Sequence, residues 1–382
     1  MERIQSINPA RIEWCCADHG ITLETLAAEV GISIATLQRV MAEEAGLTFG
    51  QLGKIANYFG RGVLFFLEQE PVNVETVHTP EFRTLANQKP ELSAKVRTFI
   101  ERVERQREVY LALRDELPDV DFPTFEPPVF DTRDIAQKAR IVRTWLGLND
   151  TNNFNSYRLA VESKGILVFR TNGYNGKWQI SADSPIFGFT LYNDECPVIV
   201  VKKQDADAQQ SFTLMHELGH LLLHKASSID DEHDMHSHKG REQEANAFAG
   251  HLLVPDELLR KIPDEERPMD ASEYDTWLAP FRRSWAVSGE VILRRLLDSG
   301  RLSQQQYMRY REAKANAPLP PPGKGNRQFR HREPKHIFGD RFVRTVLGAL
   351  NNRRITLAKA STYLDGLKVS DVHALERYYA GL

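Results

Sequence analysis

The run SFTLMHELGHLLLH, residues 211–224, constrains this chain more than any other stretch. His216 and His220 stand four apart in an apolar setting, with Glu217 directly after the first. On an α-helix, residues four apart share a face. Both imidazoles then reach one ion, while Glu217 stands one step round, beside the ion and not on it. Zinc hydrolysis uses this arrangement: two imidazoles hold the metal, and the neighbouring carboxylate takes a proton from the reacting water. The runs GILVFR (165–170), IFGFTLY (186–192) and CPVIVVK (196–202) come before it, bounded by Gly, Asn and Asp clusters, and read as strands. The motif therefore belongs to a helix that follows a strand, inside a mixed α+β domain. The plain alternative is a buried helix that holds two core histidines.

A catalytic zinc needs a third protein ligand and an open position for water. REQEANAFAGHLLVP reads as a second helix over 242–253 and offers Glu242 and Glu244. Its apolar face runs Ala245, Phe248, Ala249, Leu252. Glu242 falls about 70° to one side of that face and Glu244 about 90° to the other. Periodicity leaves both open, and Glu242 is preferred. Asn246, one turn after Glu242, is placed to hydrogen-bond a ligating histidine.

FTLMHELGHLLLH followed by EQEANAFAGHLLVP resembles the ImmA/IrrE family of metallopeptidases, over roughly residues 130–260. The resemblance implies a gluzincin-like Zn2+ site with His216, His220 and Glu242 as ligands and Glu217 as base. It also implies a protein substrate with few cleavage sites, of the helix-turn-helix repressor kind. Family members often carry an arginine shortly before the FTL segment, where QQS (209–211) stands here. An extended peptide is expected to add to the edge of the sheet formed around 186–202. His224 continues the face of His216 and His220 and reads as packing behind them. His233, His236 and His238 fall in a polar stretch at 230–240 that reads as a solvated loop.

Residues 1–70 read as short helices between glycine turns. Gly31 breaks the amphipathic TLETLAAEV, Ser33 caps IATLQRVMAEE, and TFGQLGKIANYFG follows, which is a helix-turn-helix pattern. The module resembles the Xre/lambda-repressor-like domain. Its recognition helix begins at Ser33 and presents Ser33, Ala35, Thr36, Gln38 and Arg39 to a groove. Five Lys/Arg against nine Asp/Glu in these residues make a poor electrostatic footprint for DNA. Residues 301–354 compensate with thirteen Lys/Arg against three Asp/Glu, and offer either a flexible basic linker or a second phosphate contact. Over 91–117, Leu92, Val96, Phe99, Val103, Gln106, Tyr110, Leu113 and Leu117 form a heptad seam. It reads as a helix packed on its own domain, with a homodimer through 91–117 as the alternative.

The expected architecture is α+β and multidomain. Residues 1–70 form the all-α helix-turn-helix domain, and 71–130 a helical connector ending in a Pro-rich linker. Residues 131–265 form the metallopeptidase domain with its small sheet. Residues 266–382 form a helical region with a basic Pro/Gly-rich segment at 316–336. Net charge is −3, no apolar run reaches membrane-span length, and three cysteines suggest no disulfide framework. MERIQSINPARIEW lacks the layout of a secretory signal, so a cytoplasmic location is expected. The function expected is a zinc metalloendopeptidase and transcriptional regulator that cleaves a repressor or antitoxin-like partner. The alternative is a DNA-binding regulator or antitoxin whose peptidase-like domain senses or binds a partner without cutting it. Glu217 favours the first, since a pure binding module has no need of it.

Overall fold

The computed structural model describes residues 3–44, 46–72, 85, 88, 93–172, 177–181, 184–231, 234, 239–315 and 327–381. It divides into two compact units, Met1–Arg105 and Gln106–Leu382.

In the first unit, α1 (Pro9–Asp18), α2 (Leu23–Val30), α3 (Ile34–Met41) and α4 (Phe49–Phe59) close around Ile12, Leu26, Leu37, Leu52, Ile55 and Phe59. Gly31 ends α2 in the left-handed region, at φ 63°, ψ 42°. That conformation turns the chain at little steric cost and makes the α2–α3 corner. Ser33 then caps α3, its hydroxyl accepting from Thr36 N at 3.2 Å. Thr48 and Gln51 form a reciprocal capping box that starts α4. These are the elements expected of a helix-turn-helix.

The long helix α5 (Ala94–Asp115) carries the heptad seam. Leu92 lies outside the described residues, but Val96, Phe99, Val103, Tyr110, Leu113 and Leu117 are buried within the chain itself. Gln106 donates to Tyr363 O at 2.6 Å. The seam is thus packed within the chain, the first of the two readings. The apolar stripe that a second copy would need is already covered, and its one polar member is hydrogen-bonded.

The second unit is built on a four-stranded sheet: β1 (Leu167–Arg170), β2 (Ile186–Leu191), β3 (Val198–Val201) and β4 (Ser228–Asp231), in the order β1-β3-β2-β4. β1 and β3 are parallel, and the other pairs are antiparallel. β2 and β3, the runs within 186–202, are both internal. Among the described residues the edges of the sheet are β1 and β4. The short polar run of β4 gave little strand signal.

The chain reaches the sheet through α6 (Ile135–Leu146) and α7 (Phe154–Glu162), and α8 (Asp207–Gly219) and α9 (Gly240–Leu253) follow the strands. Val142, Val161, Ile199, Leu214, Phe248 and Leu252 form part of their shared core, each fully buried. α10 (Gly289–Asp298) and α11 (Gln304–Ala315) add Ile292, Leu296 and Tyr307 to it.

The carboxy-terminal helix α12 (Glu333–Asn351) lies against β1, where Phe338 and Phe342 meet Phe169 edge-on. α12 breaks at Gly339, with φ 80° and ψ 173°. The buried pair Arg158 and Glu162 on α7 serves both sides of the break. Arg158 donates to the carbonyls of His336 at 2.8 Å and Ile337 at 2.9 Å. Glu162 Oε2 accepts from the N–H groups of Asp340 and Arg341 at 3.2 and 3.3 Å. The broken helix thus finds partners for the groups its own ladder leaves open. Arg158 Nε also donates to Val168 O at 3.0 Å. Leu167 and Thr171 send their N–H groups to β3, so Val168 faces away from it, and the same guanidinium covers part of the outer edge of β1. No helix among the described residues is long and apolar enough to cross a membrane.

Candidate metal centre

His216 and Glu217 come from the last turn of α8, and His220 opens a π-helical turn that runs to His224. The two Nε2 atoms of His216 and His220 stand 3.0 Å apart. Glu242, from the first turn of α9, brings Oε2 to 3.4 Å from His216 Nε2 and 3.2 Å from His220 Nε2. Asp230, from β4, brings Oδ2 to 3.4 and 3.5 Å from the same atoms. One donor atom from each of these four residues lies within 4.8 Å of the others.

Asp230 Oδ2 and Glu242 Oε2 are buried without a hydrogen-bond partner, as is His216 Nδ1. Two imidazole nitrogens and two carboxylate oxygens facing one point call for a positive charge between them. The donor set of two nitrogens and two oxygens fits Zn2+ and related divalent ions. In the absence of an ion a proton serves. Burial by itself would depress His216, but the close approach and negative charge of the Asp230 and Glu242 carboxylates outweigh it, pushing the imidazole up to about 9. Burial likewise opposes the ionised forms of Asp230 and Glu242, yet the two histidines hold both carboxyls below the usual range.

Glu217 is fully buried beside this cluster, against the sheet. Thr190 Oγ1 on β2 donates to its Oε2 at 2.7 Å, and Ser228 Oγ on β4 at 3.4 Å. Its Oε1 has no hydrogen-bond partner. Burial, and then the charge of Asp230, raise its pKa well above the usual carboxylate value. Gly188 on β2 makes the room, since a Cβ there would stand 2.5 Å from Glu217 Oε1.

Of the two glutamates left open by periodicity, Glu242 faces the histidine pair. Glu244 instead takes His224 Nε2 at 3.1 Å, while His224 Nδ1 meets His220 Nδ1 at 3.0 Å. His224 therefore stands behind His220, as expected, with Glu244 behind it. Asn246 Nδ2 donates to Asp234 O at 3.1 Å, toward the segment after β4.

Sequence reasoning missed Asp230. The stretch 230–240 reads from sequence as a solvated loop, but residues 228–231 are a strand, and Asp230 is 2% exposed. His233, His236 and His238 lie outside the described residues. Thr190 and Gly188 were also missed. The glycine inside the apolar run IFGFTLY was the one available signal, since a strand glycine marks a close approach.

A cavity of about 460 Å3 lies beside the centre, lined among others by Phe187, Phe212, Thr213, Asn246, Val291 and Tyr307. The Phe212 ring stacks on His216 with centroids 6.3 Å apart, which joins cavity to cluster.

In the first unit, Ala35, Gln38 and Arg39 are exposed on α3, and Leu37 and Val40 face the core. The hydroxyls of Ser33 and Thr36 are 2.7 Å apart and engaged at the cap. Part of the basic surplus at 301–354 is matched within the second unit. Arg301 meets Asp264 at 2.7 Å, Arg311 meets Glu290 at 3.6 Å, and Arg344 meets Asp340 at 2.5 Å. Residues 316–326 of the Pro/Gly-rich segment lie outside the described residues.

Comparison with known proteins agrees with this geometry. Residues 161–297 match the IrrE N-terminal-like domain, a peptidase M78 family. Residues 11–61 match the Cro/C1-type HTH DNA-binding domain. Over 87 residues the chain is 33% identical to "Uncharacterized immunity region protein 2" of Bacillus phage phi105, an alignment covering 22% of this chain and 55% of that protein. The chain thus spans about half the length of that curated relative. The chain carries a Cro/C1-type helix-turn-helix domain followed by a domain of the ImmA/IrrE peptidase family.

Proposed function

We propose that the second unit is a zinc-dependent endopeptidase acting on a protein, and that the whole chain regulates transcription by cutting a helix-turn-helix repressor or antitoxin-like partner. The observation that carries this reading is the convergence of His216, His220, Asp230 and Glu242 within 4.8 Å, with buried Glu217 alongside. His216, His220 and Glu242 would hold the ion. When bound, Zn2+ supplies Lewis acidity and makes a coordinated water more acidic.

The protein groups do the rest. Glu217 takes a proton from the attacking water and returns it to the leaving amine, one carboxylate serving as base and then acid. Thr190 fixes the carboxylate by donating to Oε2, which leaves Oε1 as the atom that handles the proton. The 460 Å3 cavity beside Phe212 receives a side chain of the substrate, and β4 offers its backbone an edge to pair with. In the first unit, exposed Gln38 and Arg39 are the side chains proposed to reach base edges. The immunity-region relative supports a setting in which a repressor is the partner.

The test is to incubate the zinc-loaded full chain with purified helix-turn-helix repressors and follow them by mass spectrometry, beside Glu217→Gln. Cleavage at one or a few sites by wild type alone supports the reading. Tight binding of a repressor that is never cut would favour the regulator that binds without cleavage.

A further inference from the structure

Zinc sites with four protein ligands are closed, whereas catalytic ones keep one position for water. The resemblance and the helix periodicity supply three donors. The fold brings a fourth to the same point, and it does so with a specific device. β2 and β4 pair Gly188 with Asp230 and Ile186 with Asp231, so Phe187 is an extra residue in the ladder. Such bulges bend a strand and re-aim its side chains beside active sites. Here the irregularity accompanies Asp230 facing inward onto the two histidines, at distances within 0.3 Å of those made by Glu242. Asp230 Oδ2 is buried, and the two histidine Nε2 atoms stand 3.4 and 3.5 Å from it.

Resting on the metal reading above, we infer that Asp230 is a fourth donor that occupies the place of the reacting water, so that the site described here is its closed form. Opening requires Asp230 to leave the ion. Its strand is suited to that. Among the described residues β4 is four residues long and pairs on one side only. A strand held by a single ladder shifts more readily than the internal strands β2 and β3. The same edge is where a substrate backbone would pair, so arrival of the substrate and departure of Asp230 act on one element. The enzyme then stays inert toward small nucleophiles and ligands until a peptide engages β4.

The experiment uses the full chain, stripped of metal and reloaded with Co2+, whose visible absorption reports the ligands around it. Acetohydroxamate is the probe, titrated into wild type, Asp230→Ala and the near-isosteric Asp230→Asn. Circular dichroism establishes that each is folded, and either folded variant suffices. The expected result is weak hydroxamate binding by wild type and binding at least about tenfold tighter in the variants, whose Co2+ affinity falls by about 10–100-fold. Equal hydroxamate affinity in wild type and both variants would overturn the inference, because the open position would then exist with Asp230 in place. A wild type that takes up no Co2+ at all would remove the metal reading and this one with it. That outcome is recognised by the missing spectrum, not by the hydroxamate titration.

Discussion

His216 carries a proton where the ion would sit, and this gives metal binding a defined pH dependence. Its pKa rises from 6.5 to about 9 in the metal-free fold. The stabilisation from the protonated ring is fully present below pH 6.5 and disappears as pH climbs through 9. An ion must displace that proton, so metal affinity should increase with pH across this window, with proton release. Calorimetry in buffers of different ionisation heat measures the release; a uniform affinity from 6.5 to 9 would contradict it. Glu217→Gln should keep the metal and lower cleavage about 100- to 10,000-fold, since it removes the base alone. Gly188→Ala should retain the three expected ligands but crowd Glu217 Oε1, losing about 1–3 kcal/mol of stability. Thermal unfolding of the metal-free protein measures that loss. His216, Glu217 and His220 were legible because one helical period relates them. Asp230 was not, because it reaches the centre through the pairing of β4 with β2, a register between distant segments that no local pattern encodes.

Among the elements, the break in α12 is the most demanding of sequence. A Cβ on Gly339 would lie 1.8 Å from Glu162 Oε1, in a backbone conformation closed to other residues. Gly339→Ala should therefore lower stability by about 3 kcal/mol or more, read from denaturant unfolding of the second unit. Arg158→Ala, which strands a buried carboxylate, should cost about 3–5 kcal/mol by the same measurement. On α3 the effects separate. Ser33→Ala should weaken the helix by about 1 kcal/mol through the lost cap. Gln38→Ala with Arg39→Ala should leave stability alone and reduce operator protection in footprinting. The caps and turns of the first unit were readable, since Gly31, Ser33 and Thr48 act on their own neighbours. The packing of α12 on β1 was not, because 169 positions separate Phe169 from Phe338 and only tertiary structure joins them.

For the whole molecule, the chain is two cores, of which the second holds the candidate metal centre. All four donors of the centre belong to Gln106–Leu382. A chelator should lower the unfolding midpoint of that unit and leave Met1–Arg105 unchanged. Calorimetry with separate probes in each unit resolves the two transitions, and an equal shift in both would show that metal binding stabilises the units jointly. The helix α12 adds a matter of timing. During synthesis the helix-turn-helix emerges first and can close its core early, whereas the sheet leaves the ribosome with the outer side of β1 bare. Only when residues 333–351 arrive do Phe338 and Phe342 cover Phe169, and only then do the α12 carbonyls join Val168 on Arg158. A chain truncated before α12 would therefore keep its amino-terminal core but leave Phe169 and the outer side of β1 uncovered.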